Sequence, residues 1–180
     1  MRIRLTVALI ALILFAPARQ ALAQGYALGT FQSFKGVGLS AEVLSSSGRE
    51  FSLFTLYADL AKVYTGANRL PGIKMGYSRN IRIADFEPKT LDDLCLFAGS
   101  GFTAGWVMDS GREVYGACGA LSGTFGARAA FPCGVVFSLG LTLETGLLLY
   151  PEGGNVKSTL YRDGIYNAVL PHLTISYFFK

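Results

Sequence analysis

The chain has 180 residues, 51% of them hydrophobic and only 16% charged, with 22 glycines and a formal net charge of +4. Three of the sixteen basic residues, Arg2, Arg4 and Arg19, lie at the extreme N-terminus, leaving thirteen basic against twelve acidic residues in the rest. No Lys/Arg cluster remains that could follow a phosphate backbone, which excludes nucleic acid as a partner.

The N-terminal segment reads as a secretory signal peptide over residues 1–23. Arg2 and Arg4 precede an apolar run from Leu5 to Ala16, and Ala21-Leu22-Ala23 is a small-residue cleavage site. Gln24, not a cysteine, immediately follows that site, so a lipoprotein anchor is not expected. Residues 24–180 are short enough for a single domain.

From there the chain alternates. Val37, Leu39, Ala41 and Val43 interleave with Gly36, Gly38, Ser40 and Glu42, and Ile73, Met75 and Tyr77 with Lys74, Gly76 and Ser78. Leu96, Ala98, Phe102, Ala104, Trp106 and Met108 oppose Gly99, Gly101, Thr103 and Gly105. The glycines of "GSGFTAG" (99–105) have the wrong spacing for a dinucleotide fingerprint and sit inside a strand pattern. In "CGVVFSLGLTLETGLLLY" (133–150) the odd positions are nearly all apolar, while the even ones are small or polar and include Glu144. A helix would scatter those residues around its circumference, and its interior glycines would each weaken it by about 1 kcal/mol. At the C-terminus Leu173, Ile175, Tyr177 and Phe179 oppose His172, Thr174 and Ser176. Around Phe51–Val63 both phases are apolar, which predicts a bulge or register shift there.

Turn signals separate these runs: "SSSG", "TGANRLPG", "DFEPKTLDD", "DSGREVYG", "FPCG" and "YPEGGNVKSTLYRDG". The pattern predicts eight strands near 26–33, 36–46, 50–63, 72–84, 94–108, 115–130, 134–150 and 166–179. "DFEPKTLDD" is expected to be a solvated turn. Several strands exceed the roughly 9–11 residues that cross a bilayer at a tilt. Strand parity puts "SSSG", "DFEPKTLDD" and "FPCG" at one end and the other three loops at the opposite end.

A cleaved signal followed by eight amphipathic strands and a last strand "LTISYFFK" resembles the small outer-membrane β-barrels of Gram-negative bacteria. The resemblance is one of pattern along nearly the whole mature chain. It implies an all-β fold, an eight-stranded antiparallel up-and-down transmembrane barrel in the cell outer membrane. It also implies outer-membrane lipid around the wall and recognition of the aromatic-ended last strand by the barrel-assembly machinery. Lys180 after Phe178 and Phe179 departs from that terminal signal.

On this reading Leu139, Leu141, Leu143 and Leu147 face lipid, and Glu144 points inward together with Glu42, Lys74, Arg82, Arg128 and His172. Opposite charges in so narrow an interior are expected to fill it with ion pairs, Arg128 being one basic partner for Glu144. Trp106, Tyr115, Tyr150, Tyr161, Tyr166 and Tyr177 are expected in an interfacial aromatic belt. Cys95 and Cys133 fall toward one end and could form a disulfide or remain free thiols; Cys118 falls toward the other.

Chemistry-bearing motifs are sparse. There is no Cys-x-x-Cys, no metal-ligand grouping and no cofactor fingerprint, so neither a cofactor nor a metal is expected. The only histidine, His172, belongs to His172-Leu173-Thr174, which places Thr where lipid A deacylases carry Ser. The expected function is therefore a structural or interaction role without catalysis, any protein partner meeting the extracellular loops. A lipid-modifying outer-membrane enzyme (lipid A deacylase or acyltransferase type) is one alternative. A secreted soluble β-barrel binding an apolar ligand is the other, and it would need its greasy faces turned inward.

Overall fold

The computed structural model describes residues 25–60, 63, 71–108, 115–161 and 170–179. The signal segment, Tyr166 and the bulk of the loops "TGANRLPG" and "DSGREVYG" lie outside the described residues. Nine strands are present among them: β1 (Gly25–Ser33), β2 (Gly36–Leu44), β3 (Glu50–Asp59), β4 (Gly72–Phe86), β5 (Asp93–Met108), β6 (Tyr115–Ala130), β7 (Val135–Glu152), β8 (Asn155–Leu160) and β9 (Leu170–Phe179). Each pairs antiparallel with its neighbours, and β9 pairs with both β1 and β7, closing a ring with eight strand positions.

The register sets the shape of the ring. Partners followed from Gly29 through Ser40, Thr55, Gly76, Thr103 and Ala120 arrive at Gly146 on β7. Followed the other way, through Ser176, they arrive at Val136. The ladder thus closes with an offset of ten residues along β7, from Val136 to Gly146. With about 3.3 Å per residue and about 4.8 Å between eight strands, that offset tilts the strands by roughly 40°. A ring of this size encloses only enough space for side chains.

The alternation read from the sequence sorts residues to the two faces. In β7 Leu139, Leu141, Leu143, Leu147 and Leu149 are exposed, while Val136, Ser138, Glu144 and Leu148 are buried. In β4 Ile73 and Met75 are exposed and Lys74, Ser78 and Asn80 are buried.

Two expectations are corrected. The strand apolar in both phases, β3, runs in unbroken register against β2 and β4. Both of its faces are apolar because Phe51, Leu53 and Tyr57 fill the lumen while Phe54 and Leu56 face out. The irregularity lies instead in β4, where Ile83 is an extra residue between Arg82 and Ala84. That bulge resets the parity, so Asp85 pairs opposite inward-facing Cys95 and shares a face with Arg82. Finally, "YPEGGNVKSTLYRDG" is no simple loop. β7 continues to Glu152 and returns as β8 through Gly153 and Gly154, whose φ values of 62° and 81° suit a tight two-residue turn.

β8 and β9 share the eighth position. β8 pairs with the upper part of β7 (Leu147–Glu152) and β9 with its lower part (Val135–Thr142). The wall is consequently uneven, low at the β1–β2 hairpin and tall along β5–β7.

Candidate functional site

The lumen holds two charge clusters, each built from strands distant in sequence. Nearer the end that carries the 45–49, 87–92 and 131–134 turns, Arg128 of β6 donates through Nε to Glu42 of β2 (2.8 Å) and through Nη1 to Asp93 of β5 (2.9 Å). Arg82 of β4 bonds Asp93 as well, donates to Asp85 (2.6 Å), and reaches the carbonyl of Gly48 (3.1 Å). The Arg128 guanidinium also lies 5.6 Å from the centre of Phe51, which packs edge-on against Phe97 at 5.1 Å. Phe97 can enter because Gly126 opposes it; a Cβ there would come within 2.7 Å of the ring.

Nearer the opposite end, Lys74 of β4 donates to Glu144 of β7 at 2.7 Å and to the hydroxyl of Tyr161 at 3.3 Å. Thr103 of β5 donates to the second carboxylate oxygen of Glu144 at 2.9 Å. The ammonium lies 5.1 Å from the Tyr161 ring centre and 5.8 Å from that of Tyr57. Tyr161 also joins an apolar cluster of Val107, Cys118, Ala120, Leu148 and Tyr150 that fills the lumen beyond the ion pair. A charge pair withdrawn from water needs its remaining donors and acceptors engaged, and here Tyr161 and Thr103 supply a further partner to each side.

Between the clusters His172 stacks on Phe31 (5.5 Å), and its Nδ1 lies 3.3 Å from the Thr142 hydroxyl. The adjoining cavity is about 50 Å³, lined by Ser33, Thr55, Ser78, Thr124, Thr142, Glu144 and His172 among others. Ligand pockets typically measure about 300–1,000 Å³, so this one suits a few waters and no substrate.

All six residues expected in the lumen are therefore there, but not as one network. Glu42, Arg82 and Arg128 belong to the first cluster, Lys74 and Glu144 to the second, and His172 lies between them. The expected partner of Glu144, Arg128, serves Glu42 and Asp93 instead. β9 begins at Leu170 and not near residue 166 among the described residues, so His172 is its third residue. Asp93 and Asp85, expected in a solvated turn, are members of the first cluster. The signal for Asp93 was its parity with Cys95 and Phe97. Tyr150 and Tyr161 are buried in the lumen, not in an outer belt, whereas Trp106 and Tyr177 do face out.

The three cysteines are free: Cys95 and Cys118 are buried, and Cys133 is exposed in its turn. Cys95 points into the lumen, so the Cys95–Cys133 disulfide is not formed. Asp85, Asp93 and Cys95 bring ligand-type atoms within 4.8 Å of one another. Arg82 already bonds both carboxylates, so the trio is part of an ion-pair network and a cation would have to displace the guanidinium.

No protein-family model, curated protein or solved structure matches the chain.

Proposed function

We propose that the protein is an outer-membrane β-barrel with a structural or interaction role, its lumen closed by ion pairs. One observation carries this reading: the polarity of the fold is inverted relative to a water-soluble protein. Lys74 and Asn80 are 0% exposed and Glu42 2%, whereas Leu121 is 70% exposed, Leu139 61% and Leu28 57%. An outward apolar face around a ring whose backbone groups pair with each other is what a hydrocarbon solvent demands. Exposed Tyr26, Tyr177 and Phe179 near the strand termini fit an interfacial girdle on that wall.

The other readings fare worse on the same geometry. A soluble ligand-binding barrel needs its greasy faces inside, and here they are outside. A lipid-modifying enzyme needs a nucleophile, base and acid converging where a substrate can reach them. His172 instead faces Thr142 beside a cavity too small for a substrate, and Glu144 is committed to Lys74 and Thr103.

The deciding experiment is fractionation of the expressed full chain. It should sediment with the outer membrane, resist extraction by salt or carbonate, and migrate differently when boiled before electrophoresis. A monomer soluble without detergent would overturn the reading.

A further inference from the structure

We propose that the outer face of β3 and β4 around Glu50 and Arg79 is a dimer interface whose occupant is a second copy of this chain. Among the outward-facing positions of the nine described strands, these two are the only charged residues. A charge on that wall is disfavoured where lipid is its neighbour, by an amount that falls from mid-bilayer toward the interfaces. The two side chains meet on the surface, Arg79 donating through Nε (3.0 Å) and Nη2 (2.5 Å) to the same oxygen, Oε2 of Glu50. Nη1 of the arginine and Oε1 of the glutamate lie outside that bond. The patch therefore offers one donor and one acceptor side by side, the self-complementary arrangement that a two-fold contact requires. In it Nη1 of each copy donates to Oε1 of the other.

The surroundings suit a protein neighbour. Arg79 is flanked across the ladder by Ser52 and Ser100, small enough for two walls to approach. On the same outer face Phe54 packs on Tyr77 at 4.9 Å and Tyr77 on Phe102 at 5.7 Å, with the Tyr77 hydroxyl 3.4 Å from that of Ser52. Arginine and aromatic side chains together are what the centres of protein interfaces use most.

The inference goes beyond the proposed function and rests on it only for the solvent. The test uses the full chain in detergent micelles, its mass read by light scattering or sedimentation. Wild type should be dimeric, and Glu50→Arg and Arg79→Glu should each be monomeric yet retain the heat-modifiable band of a folded barrel. The first variant carries two arginines at the patch and the second two glutamates, so mixing differently tagged copies should restore a mixed dimer. A role confined to the intrachain pair cannot produce that rescue. A monomeric wild type, a dimer indifferent to both reversals, or a mixture that stays monomeric would each overturn the proposal. Solubility without detergent would instead sink the membrane reading, and the same variants would then be compared in buffer.

Discussion

Lys74 and Glu144 stand 70 residues apart in the sequence and meet inside the barrel at 2.7 Å, their side chains 0% and 4% exposed. The ammonium is sealed from bulk solvent and the carboxylate nearly so, so each depends on the other and on Thr103 and Tyr161.

Glu144→Leu should therefore destabilise the barrel by about 3–5 kcal/mol, because it leaves the Lys74 ammonium buried without its counter-ion. Leu141→Ile, an outward volume-conserving change, should cost less than about 1.5 kcal/mol. Replacing both partners, Lys74→Met with Glu144→Leu, should recover most of the loss. Unfolding in detergent by urea or heat measures all three, and equal midpoints for Glu144→Leu and Leu141→Ile would refute the dependence.

Gly140 separates the inner wall from the His172 ring, since a Cβ there would fall 2.5 Å from the ring's Cε1. Gly140→Ala should push the imidazole off Phe31 and destabilise by about 1–3 kcal/mol, the usual penalty of overpacking. Gly119 faces outward, and a Cβ added there would meet nothing within 4 Å, so Gly119→Ala should stay within about 0.5 kcal/mol of wild type. The same unfolding assay separates the two, and the order should not reverse.

Thiol accessibility distinguishes the cysteines. In the folded barrel a maleimide should label Cys133 alone, because Cys95 is 0% and Cys118 5% exposed. After denaturation without reductant all three should react. Protection of Cys133 together with Cys95 under both conditions would restore the disulfide.

Topology follows from strand parity. Gly154 lies in the β7–β8 turn and Pro88 in the β4–β5 turn, at opposite ends of the ring. Epitope tags inserted there should be detected on intact cells at Gly154, and at Pro88 only after permeabilisation. Labelling of Pro88 alone would invert the orientation.

Much of the site could be read before folding because the side-chain period of a strand is strictly local. Glu42, Lys74, Arg128 and Glu144 each sit among small or polar residues of one parity, and that parity alone assigns them to the lumen. All eight ring positions were likewise legible as strands between turn signals, five of them as alternating runs. The "EGGN" that returns β7 as β8 is itself a hairpin signal, hidden within a longer polar stretch that reads equally well as a loop.

The sequence by itself thus determined a β architecture, the two faces of its alternating strands and the inward placement of Glu42, Lys74, Arg82, Arg128 and Glu144, but not of Asp85 or Asp93. The tertiary structure decided which charges meet. Glu144 lies opposite Lys74 and not Arg128 because partners across the lumen depend on how far the ladder is offset when the ring closes, a sum of registers over every strand. The Ile83 bulge turns Asp85 inward, and the short β9 leaves Tyr161 to enter the lumen and cap Lys74. Alternation propagates along one strand and carries no information about height relative to another, so those pairings exist only once the barrel has closed.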